Sequence, residues 1–401
     1  MPKKCLQKSI ASRMFVTNKN GMAFHPLDSI TDFLLPLNIS EINDDIGFKD
    51  MQLGKHIDCF ENSFPDIEKA DVIIIGCNET RGENLHKQNM NAADEVRKQL
   101  YRLYSWHNEI NIVDAGNVKS GATLQDSYAA LKTVIAEFLE YNKRVVILGG
   151  SHDLTLAQYG AYTIAEKVIE ATCVDAKLNL NIESDMPAEN FLMPVLTAQP
   201  NYIKHYNHIG FQSYLVHPGM LETIDKLRFD CFRVGHVKEN MEEVEPAIRN
   251  SDLFSFDIAA IQNSYAPANH ISPNGFTGEE ACALMQFAGM SSTINTVGIY
   301  GYLPAKDVEH LTAKQISQMI WYFLDGMQKS KMEADLNDAE SFTEYKLVFA
   351  EMQTSFLQSK KTGRWWMQLP SGNYTACSHH DYITASKNEI PERWFRIMER
   401  S

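Results

Sequence analysis

The chain has 401 residues, of which 44% are hydrophobic and 22% charged, proportions that are ordinary for a soluble globular protein. Its net charge of −14 argues against nucleic-acid or anionic-membrane partners, because phosphate binding needs clustered lysine and arginine. No stretch approaches the ~18 uncharged apolar residues of a membrane span, and the charged N-terminus lacks an apolar signal-peptide core. The seven scattered cysteines form no CxxC pair, so we expect a cytoplasmic protein with reduced, buried thiols.

Short apolar runs bounded by Gly, Asp or Asn recur along the middle of the chain. In chain order they are ADVIIIGC (70–77), INIVDAG (110–116), RVVILGG (144–150), ATCVDA (171–176), YNHIGF (206–211), FDCFRVG (229–235), DLFSFDI (252–258) and NTVGIYGY (295–302). Short, continuously apolar runs are typical of strands that are covered on both faces of a parallel sheet.

Segments with helical spacing lie between these runs, notably 92–104, 124–141 and 277–289. The last of them begins with Thr277 followed by acidic residues, which is typical of a capped helix. The alternation of strands and helices predicts an α/β fold with three layers and a doubly wound parallel sheet of about eight strands.

This alternation is absent from both ends of the chain. We therefore predict an N-terminal extension (1–69) packed on the core, an α/β domain (70–330) and an aromatic-rich C-terminal extension (331–401). The C-terminal extension carries three of the five tryptophans, Trp365, Trp366 and Trp394. Because so much aromatic surface is costly to leave in water, we expect the extension to dock on the domain or on a neighbouring subunit.

Polar side chains follow three of the apolar runs, where ligands bind in open parallel sheets. Gly149 and Gly150 permit a tight turn that presents His152, and Asp257 ends the 252–258 run. After the 171–176 run, polar residues occupy every second position, so an extended chain would direct them to one place. These alternating residues are Asp175, Lys177 and Asn179.

Three segments resemble the ureohydrolase superfamily of arginase, agmatinase and formimidoylglutamase. GGSH (149–152) is similar to the family's Gly-Gly-x-His, and DAKLNLN (175–181) stands where the family has Asp-Ala-His-x-Asp. SFDIAAIQNSYAPA (255–268) is similar to its Ser-x-Asp-x-Asp-x-x-Asp-Pro-x-x-Ala-Pro segment. The resemblance covers roughly 70–330 and is nearest to bacterial formimidoylglutamase. It implies an arginase-like fold in which two Mn²⁺ ions activate a water that attacks a guanidinium or formimino carbon.

The resemblance also implies six metal-ligand positions. Three of them keep the family's residue: His152, Asp175 and Asp257. The other three are changed, a histidine to Lys177 and two aspartates to Asn179 and Ala259. In addition, Phe191 stands where the family has a substrate-side histidine, and Gly301 falls near a glutamate that arginase uses.

Lys177 conflicts with bound cations. An ammonium ~4 Å from a dication is repelled by roughly 8 kcal/mol at an effective dielectric near 20. We therefore hypothesise that the Lys177 ammonium lies between Asp175 and Asp257 and substitutes for manganese, so that no cofactor is bound.

Three functions stay open. The favoured one is a catalytically inactive or impaired superfamily member that binds a small amidine or amino-acid-like ligand, or has a regulatory role. An alternative is an active formimidoylglutamase-like C–N hydrolase that uses Mn²⁺ at His152, Asp175 and Asp257. A third, in which Lys177 is a nucleophile, is disfavoured because neighbouring carboxylates keep a lysine charged. The resemblance further implies a homo-oligomer.

Overall fold

A mostly parallel sheet forms the centre of the molecule. The structure, a computed structural model, describes residues 28–43, 47–85, 91–107, 109–349 and 351–400. Within these residues the central sheet has ten strands: β1 (Leu34–Leu35), β2 (Asp58–Cys59), β3 (Val72–Cys77), β4 (Ile112–Val118), β5 (Arg144–Gly149), β6 (Ile169–Val174), β7 (Ile203–Phe211), β8 (Asp230–Arg233), β9 (Leu253–Asp257) and β10 (Thr296–Tyr300). Eight of them run parallel in the order β4-β3-β5-β10-β9-β6-β7-β8. Each apolar run singled out in the sequence overlaps one of these eight strands, so the predicted fold class is confirmed.

Strand β3 shows why these runs are continuously apolar. Val72 and Ile74 pack into one hydrophobic cluster, whereas Ile73 and Ile75 pack into another on the opposite face of the sheet. Because alternate side chains enter different layers, both sets must be apolar. The same alternation holds in β5, where Val146 belongs to the first cluster.

Helices cover both faces of the sheet, which gives the predicted three layers. In chain order the helices of the described residues are α1 (Asp28–Thr31), α2 (Ile39–Ile42), α3 (Ala92–Leu100), α4 (Leu124–Glu140), α5 (Thr155–Ile164), α6 (Pro187–Asn190), α7 (Leu192–Thr197), α8 (Pro218–Lys226), α9 (Val234–Glu239), α10 (Glu245–Arg249), α11 (Gly278–Met290), α12 (Leu311–Lys331), α13 (His379–Ser386) and α14 (Glu392–Arg400). Helices α3, α11 and α12 pack on one face, and α4 and α5 pack on the other. Thr277 caps α11 through a capping box with Glu280, as its sequence predicts. None of the described helices is both long and apolar enough to span a membrane.

The segment before the parallel core lines one edge of the sheet. Strand β1 pairs antiparallel with β4 through Leu34 and Val118, and β2 pairs parallel with β4 through Asp58 and Val113. The outer edge of β4 is thereby covered, which protects it from pairing with another chain. Residues 1–27 of the predicted N-terminal extension lie outside the described residues.

The C-terminal extension forms a second, antiparallel sheet. Its strands are β11 (Phe342–Phe349), β12 (Met352–Ser359), β13 (Trp365–Gln368) and β14 (Tyr374–Cys377). This sheet docks on α10 of the same chain, where Arg249 donates to the carbonyl of Trp365 at 2.9 Å. The Arg249 guanidinium also lies 4.4 Å from the ring centre of Trp366. Packing against the core thus accounts for two of the three tryptophans, whereas the exact domain limits stay a prediction.

Candidate functional site

The carboxyl ends of β5, β6 and β9 meet at a cavity of about 140 Å³. The chain turns sharply after β5, and Gly150 lies so close to Glu79 that a Cβ would sit 1.9 Å from the Glu79 carbonyl oxygen. Only glycine fits this approach. The turn carries His152 into the cavity wall, where the side chain is buried.

The three ligand positions that keep the family's residue come together here. His152 Nδ1 lies 2.9 Å from Asp175 Oδ2 and 3.3 Å from Asp257 Oδ2. On the other side of the ring, His152 Nε2 is 2.8 Å from Ser255 Oγ, which fixes the orientation of the imidazole. The three potential ligand atoms lie within 4.8 Å of one another. One imidazole and two carboxylates are a donor set that suits Mn²⁺.

Each of the two carboxylates has one oxygen occupied by the backbone. Asp175 Oδ1 accepts a hydrogen bond from the Lys177 amide at 3.1 Å, and Asp257 Oδ1 accepts one from the Ala259 amide at 2.7 Å. One oxygen of each carboxylate therefore faces His152. This geometry matches the ligands of one ion better than those of a pair.

Asn179 lies beside the same group. Its Nδ2 donates to the Ala188 carbonyl at 3.0 Å and lies 3.3 Å from His152 Nδ1. Its Oδ1 is buried and has no hydrogen-bond partner among the described residues. A buried amide oxygen without a partner is costly, and it is a suitable ligand for a hard cation. The residues present thus fit a single divalent ion with three or four protein ligands.

Lys177 forms its ion pair with Glu189, so the predicted position of its ammonium between Asp175 and Asp257 is wrong. Its side chain is 33% exposed, and Nζ lies 3.5 Å from Glu189 Oε1. The reason is local: the chain leaves the strand at Val174, so strict alternation no longer governs where 175–181 point. Lys177 and Asn179 nevertheless line the same cavity as Asp175 and Asp257.

Two other substituted positions also shape the site. The ring of Phe191 packs on His152 at 4.8 Å between centroids. Gly301 has a φ of +80°, and a Cβ there would lie 2.6 Å from Asp257 Oδ1. A glutamate at Gly301 would therefore be strained in this conformation.

Carboxylates dominate the charge of the cavity. Burial, with a contribution from the charge of Asp257, raises the pKa of Glu83 to about 7. Burial, with a contribution from the charge of Asp175, likewise raises the pKa of Asp257 to about 7. Four acidic groups therefore lie around Lys177 and His152: Glu83, Asp175, Glu189 and Asp257. The excess of acidic groups favours a cation in this cavity.

Sequence reasoning missed Glu83 and Glu189 as wall residues. Glu83 follows the end of β3 by six residues, so a survey of every strand end would have found it. Glu189 lies in the short helix α6, which no strand-end rule indicates. Its approach to the cavity depends on the path of the loop after β6.

Comparison with known proteins agrees with this architecture. The family model described as "Arginase family" matches residues 70–325. Formimidoylglutamase of Hahella chejuensis is 26% identical over 199 residues, which are 46% of this chain and 60% of that relative, less than two thirds of its length. Formimidoylglutamase of Staphylococcus aureus is 22% identical over 284 residues, which cover 65% of this chain and 90% of that relative.

Solved structures show the same fold. Formiminoglutamase of Trypanosoma cruzi, crystallised with Mn²⁺, superposes with a TM-score of 0.61 at 18% identity, covering 70% of this chain and 99% of that one. Formimidoylglutamase of Bacillus subtilis superposes with a TM-score of 0.61 at 14% identity, covering 80% and 98%. Since the family model spans more than half of the sequence and these folds coincide, the chain belongs to the arginase family and is formimidoylglutamase-like.

Proposed function

We propose that this chain binds a small cationic amidine or an amino-acid-like molecule at the carboxyl-end cavity, and that it does not carry out hydrolysis at a pair of manganese ions. The observation that carries the proposal is the grouping of the potential ligand atoms. His152 Nδ1 lies within 3.3 Å of both Asp175 Oδ2 and Asp257 Oδ2, whereas Lys177 and Ala259 offer no ligand for a second ion.

A single divalent ion is compatible with this proposal. His152, Asp175 and Asp257 would hold it, and the amide oxygen of Asn179 is available as a fourth ligand. Such an ion supplies Lewis acidity and electrostatic attraction for a ligand oxygen. His152 is already oriented for this role by Ser255.

The rest of the cavity supports recognition of a positively charged group. Glu83 and Glu189 lie on the walls beside Asp257, so an amidinium or guanidinium would meet several carboxylates. Planar groups of this kind form paired, charge-assisted hydrogen bonds with carboxylates. Lys177 lines the same cavity and could bind the carboxylate of an amino-acid-like ligand. Assembly into a homo-oligomer and a cytoplasmic location stay predictions.

The test combines metal analysis, calorimetry and turnover on the purified full chain. After incubation with Mn²⁺ and removal of free metal, we expect no more than one ion per chain. Formimidoyl-L-glutamate should bind with measurable heat and should not be converted. Asp257→Asn should weaken this binding, and Asp225→Asn, at a side chain that is 67% exposed, should leave it unchanged. Two tightly bound ions per chain, or no heat with formimidoyl-L-glutamate, would contradict the proposal.

The runner-up is a hydrolase that works with one ion. It is favoured by the closeness of the three potential ligand atoms, which lie within 4.8 Å of one another. Release of formamide from formimidoyl-L-glutamate, abolished by Asp257→Asn and unaffected by Asp225→Asn, would establish this second function over the first.

A further inference from the structure

A second cavity lies at the opposite edge of the sheet, at the amino ends of β6, β7 and β8. Its volume is about 250 Å³, compared with about 140 Å³ for the carboxyl-end cavity. We call it the amino-end cavity. A cavity of about 150 Å³ is enough to hold benzene, so this one has room for a ligand the size of an amino acid.

One face of the sheet is polar where it borders this cavity. Glu170 on β6 stands opposite His205 on β7, and Asn207 on β7 stands opposite Asp230 on β8. All four residues line the cavity. Parallel strands in a doubly wound fold are normally apolar on both faces. These side chains are hydrogen-bonded, as His205 Nε2 is to Asn207 Oδ1 at 3.0 Å, so the row is held in place and presents polar groups to the cavity.

The opposite face of the same strands has the usual apolar character. Ala171 and Cys173 on β6 and Tyr206 on β7 pack into a buried hydrophobic cluster. The polar row is therefore specific to the side that faces the amino-end cavity. Neighbouring positions in these two strands differ in polarity according to the face on which they lie.

The C-terminal extension closes the cavity. Leu369, Thr375 and Ile397 line it, and all three lie beyond the residues that match the arginase family model. Arg393 also lines it, and its guanidinium is fixed by bonds from Nε to Asp381 Oδ2 at 3.0 Å and from Nη2 to the Glu243 carbonyl at 2.9 Å. A guanidinium has five N–H donors, so donors remain after these two bonds. A cation that is already fixed in place loses little freedom when a ligand binds.

The charges of the lining are balanced. Two carboxylates, from Glu170 and Asp230, line the cavity together with the cations of Lys204 and Arg393, and Asp230 Oδ1 also lies 3.2 Å from Arg396 Nη1. Lys204 Nζ lies 2.8 Å from Glu170 Oε1, and His205 Nε2 lies 2.9 Å from Asp230 Oδ2. An anion would be repelled by the carboxylates and a cation by Lys204 and Arg393, whereas a zwitterion can satisfy both.

We propose that the amino-end cavity binds a neutral zwitterion of the α-amino-acid class with an aliphatic side chain. The lining offers cations for the ligand's carboxylate and carboxylates for its ammonium group. Ala247, Leu369 and Ile397 supply the apolar wall for the side chain. The site combines residues of the arginase-like core with residues of the extension, so relatives that lack the extension would not form it.

Isothermal calorimetry on the full chain tests the ligand class with three probes of similar shape. L-Leucine carries both charges, isopentylamine lacks the carboxylate, and 4-methylpentanoate lacks the ammonium group. We expect L-leucine to bind and each analogue to bind at least about tenfold more weakly, because each analogue carries only one of the two charges that the lining complements. Absence of heat with L-leucine, or equal binding of either analogue, would overturn the proposal.

Substitutions of lining residues then show which of the two cavities binds L-leucine. Glu170→Gln and Lys204→Gln should each weaken L-leucine binding about tenfold. Lys226→Gln, at an exposed lysine of α8, should leave it unchanged. Binding that is lost in Lys177→Gln and kept in Glu170→Gln would place the ligand in the carboxyl-end cavity and contradict the assignment. Each variant is checked for an unchanged melting temperature without ligand, and the three-probe comparison on the unaltered chain decides the ligand class if a variant does not fold. Because each cavity is tested with its own ligand and its own variants, a negative result for L-leucine at the amino-end cavity is distinguishable from a negative result for the proposed function at the carboxyl-end cavity.

Discussion

The two cavities at opposite ends of the strands differ in origin and in charge. The carboxyl-end cavity is formed entirely by residues that match the arginase family model, and acidic groups outnumber basic ones around it. The amino-end cavity combines core residues with the C-terminal extension, and its carboxylates and cations are balanced. The first brings together His152, Asp175 and Asp257 within the family's fold, whereas the second includes residues that lie beyond the family match.

This difference separates two ways in which a fold acquires a binding site. In a parallel sheet, the carboxyl ends of the strands form a site as a consequence of topology, so ligand residues can change while the cavity persists. The amino ends have no such built-in site, and here a further layer of chain is needed to enclose one. The following predictions alter one cavity, or the contacts that support it, at a time.

The largest effect is expected from restoring the family's ligands at the carboxyl-end cavity. The triple variant Lys177→His, Asn179→Asp, Ala259→Asp removes one positive charge and adds two negative charges. A pair of unit charges ~4 Å apart contributes about 4 kcal/mol at an effective dielectric near 20, so Mn²⁺ should bind at least about a thousandfold more tightly. Calorimetry and metal analysis should show two ions per chain in place of at most one.

The matched control for the triple variant lies outside the cavity. Lys204→His with Asn250→Asp makes similar changes at the amino-end cavity and should leave Mn²⁺ binding unchanged. If the triple variant folds but gains no affinity, the cavity has changed shape as well as its ligands. The account of a ligand set fitted to one ion would then need revision.

The next largest effect concerns the contact between core and extension. Arg249 is buried beneath Trp366, lies 3.0 Å from Glu245 and donates to the Trp365 carbonyl. Arg249→Met leaves buried Glu245 with only the more distant Arg364, whose Nη1 lies 3.9 Å from Glu245 Oε1, so the free energy of unfolding should fall by about 3 kcal/mol. Urea unfolding measures this loss, and Arg233→Met, at an exposed arginine, is the control. A loss below about 0.5 kcal/mol, the range of ordinary surface substitutions, would mean that the extension does not depend on this arginine.

How much the sequence predicts also differs between the two cavities. The eight core strands follow from continuous apolar runs, because burial on both faces constrains every residue. The meeting of His152, Asp175 and Asp257 follows from strand ends that share one edge of the sheet. The direction of Lys177 does not follow, because it depends on a loop and on Glu189 in the helix after it. The amino-end cavity was not predicted at all, since Glu170 and Arg393 are brought together by tertiary packing alone.

Titration should reveal the excess of acidic groups at the carboxyl-end cavity. The pKa of Glu83 is raised from 4.5 to about 7, and that of Asp257 from 3.8 to about 7, mainly by burial. Between pH values of about 4 and about 7, the folded chain holds protons that the unfolded chain has released. The free energy of unfolding therefore decreases as the pH rises through about 7. Urea unfolding of metal-free protein at pH 5.5 and 8.5 measures this decrease.

Removing the titrating groups should reduce this pH dependence. Glu83→Gln and Asp257→Asn should each be more stable than the unaltered chain at pH 8.5, and this difference in stability should be smaller at pH 5.5, where both groups are protonated in the folded state. Asp225→Asn should behave like the unaltered chain at both values. Addition of Mn²⁺ at pH 8.5 should restore stability, because a bound cation compensates the carboxylates. Equal stability of the unaltered chain at both pH values would contradict this electrostatic description.

The smallest effect is expected at the start of α13. Ser378 caps this helix together with Asp381, and Asp381 in turn accepts a hydrogen bond from Arg393. Ser378→Ala should reduce the free energy of unfolding by about 1 kcal/mol, whereas Ser386→Ala at the other end of the helix should have almost no effect. Because Arg393 lines only one of the two cavities, the loss of the cap should also weaken L-leucine binding while leaving Mn²⁺ binding unchanged. If Ser378→Ala weakened the binding of both L-leucine and Mn²⁺, the two cavities would be coupled through the core, which would contradict their independence.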